Sequence, residues 1–187
     1  VFTFINILGL AIGITAFLLL TQYLSFEKSY DKGLNDLYRV TLSSNLGVDD
    51  FEVLATNHPA VGPAMIADFP EVEKYARMIN MKSLGFKSMM SYKNQFGEVV
   101  RSSSDGYNVY FSDGAILDLF NIPLLQGNPE STLKDPLTLL FSETLAHQLF
   151  GNEDPVGKEV VINNQYNCTV NGIFQDLPEN THLKMDI

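Results

Sequence analysis

The chain has 187 residues, 12 Lys and Arg against 22 Asp and Glu, a formal net charge of -10 and one cysteine. Acidity of this size, without any Lys/Arg run, repels phosphate backbones and anionic head groups and excludes nucleic-acid binding. The lone cysteine excludes a disulfide framework, so the fold must rest on apolar burial, about 70% of the unfolded surface for a chain of this length.

Opening on Val1 and stopping at Ile187 in what reads as an unfinished strand, the sequence has the pattern of a fragment. No charged residue occurs from Val1 to Phe26, so the acidic excess belongs wholly to residues 27–187. As a helix rising about 1.5 Å per residue, residues 1–26 extend about 39 Å, enough to cross a hydrocarbon core of ~30 Å. A transmembrane helix is therefore expected. A cleaved signal would carry a shorter apolar region and a small-x-small site, and Thr15-Ala16-Phe17-Leu18-Leu19-Leu20 offers none. On a helical wheel Asn6, Gly9, Gly13 and Ala16 share one face, while Phe4, Ile7, Leu8, Ile14 and Leu18 share the other. Gly9-x-x-x-Gly13 is the small-x-x-x-small spacing that lets another helix approach closely; the same spacing also arises by chance in a lone anchor, because Gly is common in such helices.

Residues 27–36 follow as a membrane-proximal stalk. The amphipathic Glu27-Lys28-Ser29-Tyr30-Asp31-Lys32 stretch is expected to carry the helix onward until Gly33 interrupts it. From residue 37 the pattern becomes mixed. Tyr38, Val40 and Leu42 alternate with Arg39, Thr41 and Ser43, the period-two pattern of a half-buried strand. His58-Pro59 opens a helix with Val61, Met65, Ile66 and Phe69 as its apolar stripe and Pro70 as its end. Strands are expected over 86–92 and 98–104 around a Lys93-Asn94-Gln95 turn, and over Leu137–Phe141. Ser142 then caps a helix whose buried face is Leu145, Ala146, Leu149 and Phe150, with Glu143 at its positive end and Gly151 as its stop. A hairpin of 159–163 and 166–174 turns at Asn163-Asn164, and Asp176-Leu177-Pro178 breaks its second strand. The fold class is α+β: one N-terminal transmembrane helix, then a mixed α/β domain over 37–187.

Gly151-Asn-Glu-Asp-Pro-Val-Gly157-Lys158 imitates a phosphate-binding loop but has five residues between its glycines, Glu159 after the lysine and a helix before it, where the real motif needs four, Ser/Thr and a strand. His58, His147 and His182 fall in three different elements, without the His-x-x-x-His or Glu-x-x-His spacing of metal sites. Gly-x-Ser-x-Gly is absent. Cys168 alternates with Tyr166 and Val170 and reads as a core thiol. Met78, Met81, Met89 and Met90 offer thioethers to cuprous ion, but Met89 and Met90 point to opposite faces of a strand and fit core filling better. Asp49, Asp50 and Glu52, and Glu153 with Asp154, lack the alternating ligands of a calcium loop. Asn167-Cys168-Thr169 fits a glycosylation acceptor only by pattern, inside a strand. No catalytic, cofactor-binding or metal site is expected, and no cofactor.

Several stretches taken in order carry a family resemblance. They are Asn6-Ile-Leu-Gly-Leu-Ala-Ile-Gly13, Tyr30-Asp31 with Leu37-Tyr38-Arg39-Val40, and Phe69-Pro70-Glu71-Val72-Glu73 with Arg77. Leu119-Phe120-Asn-Ile-Pro-Leu-Leu-Gln-Gly127, Leu149-Phe150-Gly151 through Asp154-Pro155-Val156-Gly157-Lys158, and Asp176-Leu177-Pro178 with His182-Leu183 complete the set. Together they resemble the FtsX-like permease family of ABC transporters, in the branch with a MacB-like periplasmic core domain. The resemblance implies a noncatalytic permease subunit of the bacterial inner membrane, four spans in all, with its main domain in the periplasm. It implies a cytoplasmic ABC ATPase as partner, a homodimer or paralogous permease, and a periplasmic accessory protein. ATP-driven movement would pass along the stalk to a domain acting on peptides, lipoproteins or small toxic molecules. The outward placement of the domain comes from the resemblance alone, and the further spans lie outside these 187 residues. Two rivals remain: a single-span receptor or adhesin, and an anchored hydrolase built from His58, His147, His182 and Ser142.

Overall fold

A computed structural model describes residues 2–34, 36–45, 51–85, 87, 89–94, 96–103, 106–129 and 131–187. Asp49, Asp50, Phe86, Gln95 and Ser104 lie outside the described residues, as does the side chain of Glu52. The chain divides into two compact units, Val1–Asn35 with Pro178–Leu183, and Asp36–Leu177 with Lys184–Ile187.

In the first unit, helix α1 runs over Phe2–Glu27, 26 residues with none buried. Its length and composition suffice to cross a membrane. Two of its hydroxyls are satisfied within the helix, Thr15 donating to the Ala11 carbonyl at 2.8 Å and Thr21 to the Phe17 carbonyl at 2.5 Å, which removes unpaired donors from an apolar surface. The expected helical stalk is corrected: α1 stops at Glu27, and residues 28–33 are turns. Asp31 and Gly33 take positive φ of 48° and 95°, outside the helical region. Ser29 N–H already bonds three residues back, to the Phe26 carbonyl at 2.9 Å.

The second unit centres on a six-stranded sheet. Its strands are β4 (Met89–Lys93), β5 (Val99–Ser103), β7 (Leu124–Gly127), β8 (Thr138–Ser142), β9 (Glu159–Ile162) and β10 (Tyr166–Phe174). The order is β5-β4-β9-β10-β7, with β8 also paired to β10. β10 runs antiparallel to β9 and β7 and parallel to β8, so the longest strand joins three neighbours. Helix α4 (Glu143–Phe150) follows β8 directly and packs on β8 and β10. The core gathers Met90, Tyr92, Phe141, Leu145, Ala146, Phe150, Val160, Val170, Ile173 and Ile187. Phe141, at 0% exposure, sits in its centre, and truncating such a ring costs about 3–5 kcal/mol. Tyr92 stacks on Phe150 at 4.3 Å and its hydroxyl donates to the Leu149 carbonyl, so the buried phenol is satisfied.

Local signals explain these elements. Ser142 Oγ accepts the Leu145 N–H at 3.3 Å as the N-cap. Asn163 and Asn164 both take φ near 55°, the left-handed pair that asparagine tolerates in a tight hairpin. At the β4–β5 turn Asn94 Oδ1 accepts the N–H groups of Phe96 and Glu98 at 3.0 and 2.9 Å. Met89 is 48% exposed and Met90 3%, opposite faces as the alternation requires. Cys168 is buried, and burial pushes its thiol pKa up.

Other expectations are corrected. Tyr38 and Val40 lie before strand β1 (Leu42–Asn45), and Tyr38 is 82% exposed, so no half-buried strand runs over 38–42. β1 pairs instead with β2 (Phe51–Leu54). Helix α2 forms over Val61–Asp68, but Ile66 and Phe69 stay exposed and the helix has no buried residue. Met78 belongs to β3 (Met78–Asn80), which pairs with β6 (Tyr110–Ser112). The short helix α3 (Ile116–Leu119) buries Ile116 and Leu117.

Candidate functional site at the exit of the apolar helix

Residues far apart in the sequence are drawn together just after α1. Asp31 accepts the Thr181 hydroxyl at 2.5 Å and the His182 N–H at 3.2 Å on Oδ1, while His182 Nδ1 meets Oδ2 at 2.5 Å. Asn180 Nδ2 donates to both the carbonyl and the hydroxyl of Ser29 at 2.9 Å, and the Asn180 carbonyl accepts the Asp31 N–H at 3.0 Å. The Tyr30 ring lies 4.9 Å from the imidazole of His182 and 5.5 Å from the ring of Phe26. Burial pushes the Asp31 carboxyl upward, but hydrogen bonds from Thr181 and His182 outweigh it and hold the group below its usual range. Asp31 holds these contacts at a positive φ of 48°.

An Asp–His pair invites comparison with a hydrolytic triad, and the geometry disagrees. A triad places its nucleophilic hydroxyl on the imidazole nitrogen that does not face the carboxylate; here the Thr181 hydroxyl is on the carboxylate itself. The other hydrolase candidates are not gathered. Ser142 is buried as a cap, His58 Nδ1 accepts the Ala60 N–H at 3.2 Å, and His147 is an exposed side chain on α4. Among the described residues no group of three or more His, Cys, Asp or Glu could hold a metal ion. The cluster ties the residues just after α1 to residues 180–182.

The glycine loop after α4 is a structural turn. Gly157 N–H donates to the Val170 carbonyl at 2.8 Å, Lys158 N–H to Pro155 at 3.0 Å, and Val156 N–H to Asp154 Oδ1 at 3.0 Å. Those donors are already taken by acceptors of the protein itself, whereas a phosphate cradle needs them turned toward the ligand. Lys158 pairs with Glu153 and lies 5.3 Å from the centre of the Phe150 ring. Other motif residues are fasteners too. Arg77 binds Asp113 in bidentate fashion, 2.8 Å on each oxygen, and holds its carboxyl below the usual range. Asp176 accepts the Thr144 N–H at 3.0 Å and its hydroxyl at 2.6 Å, a second cap for α4. Lys74, Leu117, Asp118, Asn121, Ile122 and Pro123 line an open hollow of about 520 Å³. Its two charges, Lys74 and Asp118, pair with each other at 3.0 Å.

Asn6, Gly9, Gly13 and Ala16 all lie exposed on α1, with open space where a Cβ on Gly9 or Gly13 would stand. Sequence reasoning misses the helix-exit cluster. Its partners stand about 150 positions apart, and the one signal in the sequence is that Tyr30-Asp31 and His182-Leu183 both belong to the ordered motif set.

The family described as the MacB-like periplasmic core domain matches residues 3–186. A domain of a protein classed as a permease from Porphyromonas gingivalis is 22% identical with a TM-score of 0.51, over 73% of this chain and 54% of that one. The periplasmic region of MacB from Actinobacillus actinomycetemcomitans is 18% identical with a TM-score of 0.41, over 59% and 50%. The extracellular domain of the noncanonic ABC-type transporter YknZ from Gram-positive bacteria is 19% identical with a TM-score of 0.40, over 63% and 59%. The chain thus spans about half the length of these solved structures. The first of them shares its fold. No curated protein matches.

Proposed function

The chain belongs to the MacB-like periplasmic core domain family, and we propose that it is the membrane-anchored, head-bearing part of an ABC transporter permease subunit. The observation that carries this reading is the family match over residues 3–186, which takes in the apolar helix and the sheet domain together. Helix α1 crosses the inner membrane, residues 27–36 leave it, and the domain from 37 onward lies in the periplasm. Lipid covers the apolar surface of α1 that no part of this chain buries; otherwise that surface would face water at about 25 cal/mol per Å².

ATP hydrolysis belongs to a separate cytoplasmic ABC ATPase, and the permease pairs with a second copy or a paralogue through Asn6, Gly9, Gly13 and Ala16. Movement reaching α1 passes through the Asp31 joint to residues 178–183 and along the chain to β10. The head meets a peptide, a lipoprotein or a small toxic molecule, alone or with a periplasmic accessory protein. What supports the noncatalytic reading is that Arg77, Asp154, Gly157, Lys158, Asp176 and His182, all from the motif set, are engaged in caps, turns or ion pairs.

Purification of the complete gene product from membranes tests the proposal. The expected result is co-purification of an ABC ATPase whose turnover changes with the permease, and three further apolar stretches of ~20 residues in the reading frame. A reading frame with one apolar stretch and no ATPase on the column favours the receptor or adhesin. Recovery of the mature protein from soluble extracts, cleaving a substrate unaided, overturns it.

A further inference from the structure

Residues 178–183 fold with α1, while the chain on both sides of them belongs to the sheet unit. The contacts that tie them to Ser29 and Asp31 are hydrogen bonds. Three donors of the segment converge on one carboxylate: the Thr181 hydroxyl, the His182 N–H and His182 Nδ1. The Asp31 N–H adds a fourth bond in the other direction, to the Asn180 carbonyl. Leu183 is the buried apolar side chain of the segment, Thr181 is buried as well, and the His182 side chain is 78% exposed.

We propose that this cluster is a latch pinned by Asp31, which opens and closes as one unit while the sheet domain stays folded. Two physical arguments carry the proposal. Bonds at a wet, polar contact exchange for bonds to water at little net loss, so such contacts open locally at far lower free energy than an apolar core. Because the donors share one acceptor group, losing that acceptor releases all of them together, which makes the opening cooperative instead of a gradual fraying. The backbone favours release as well: Asp31 stands at φ 48°, a region that costs a non-glycine residue free energy unless surrounding contacts hold it. Opening the latch removes those contacts and lets Asp31 return to ordinary backbone geometry.

The purpose of the latch rests on the permease reading: a helix exit that is clasped in one stage of the cycle and freed in another. Its existence does not rest on that reading, and the test needs no transport. Hydrogen exchange read by mass spectrometry on the complete chain in lipid nanodiscs measures it directly. In the unaltered protein the amides of Asp31, His182 and Leu183 are expected to exchange at least 100-fold faster than those of β10, at one common rate that mild urea barely changes. Asp31→Ala, which removes the shared acceptor, is expected to raise the rate of residues 28–34 and 178–183 by at least tenfold, with β10 and α4 unmoved.

The proposal is overturned if those three amides exchange only with global unfolding, if Asp31→Ala alters one strip of chain without the other, or if it loosens the whole sheet. Should Asp31→Ala not accumulate, the unaltered chain still decides the matter through the urea dependence. An open-and-shut latch in a protein that binds no ATPase would remove the purpose and leave the device.

Discussion

Gly127 and Gly172 face each other across the antiparallel β7–β10 pair, and neither strand has room for a side chain there. A Cβ on Gly172 would stand 2.4 Å from the Gln126 carbonyl oxygen, and one on Gly127 would stand 2.3 Å from that of Asn171. Both obstacles are backbone, which cannot swing away. Gly172→Ala is expected to lower stability by about 3 kcal/mol through overpacking. Gly106→Ala, with nothing within 4 Å, is expected to change it by less than about 0.5 kcal/mol. Urea midpoints followed by tyrosine fluorescence separate the two, and equal midpoints would show that the strands do not meet this closely.

The two caps of α4 give a second expectation. Ser142 serves the Leu145 N–H and Asp176 the Thr144 N–H, two of the four donors that a helix N-terminus leaves unpaired. Ser142→Ala is expected to cost about 1 kcal/mol. Asp176→Ala loses a neighbouring cap and the favourable charge at the positive helix end, so the double variant is expected to depart from additivity. A double-mutant cycle in urea checks it; strict additivity would mean that the caps act on independent parts of the structure.

These two features also show how far sequence reasoning reaches. The Ser142 cap, α4 and the Asn163–Asn164 turn depend on residues within a few positions of each other, so Ser142, Glu143 and Gly151 suffice to place the helix, whereas the Asp176 cap reaches Thr144 from 32 positions away. Short strands such as β3, β6 and β7 depend on partners far along the chain. Ile79 and Phe111 pair in register yet remain exposed, leaving no alternation between buried and solvated positions to read. The stalk expectation fails for a similar reason: Glu27–Lys32 is locally helical in pattern, but Asp31 turns out of the helix to meet Thr181 and His182. The motif set contains both halves of that joint without revealing that they touch. The fold class is legible because it needs only the kinds of elements; the joint needs their pairing.

Arg77 and Asp113 carry a prediction on pH. The Arg77 hydrogen bonds hold the Asp113 carboxyl below its usual range, so the unfolded chain binds that proton more readily than the folded one. Stability from this pair is therefore fully present above the ordinary carboxylate range and fades as pH falls through the lowered value. Asp31 acts in the same sense, through Thr181 and His182 working against burial. Urea midpoints at pH 7 and pH 3 are expected to differ less in Arg77→Gln than in the unaltered protein. An unchanged difference would place the acid sensitivity in other carboxylates.

The small-residue face of α1 makes the last prediction. Asn6, Gly9, Gly13 and Ala16 lie along one side, and the space beside both glycines is open, so another helix could approach to backbone contact there. Gly13→Leu keeps the segment apolar and long enough to insert, but it fills the groove that close packing needs. Membrane recovery is expected to stay unchanged while the dimer fraction in mild detergent falls several-fold. Leu18→Arg lies on the opposite face and tests the other property. It adds about 3 kcal/mol to the free energy of insertion, so it is expected to reduce membrane recovery, with dimerisation of whatever inserts preserved. If Gly13→Leu leaves the dimer intact, the glycines do not form a packing face and any association of this helix must use its other side.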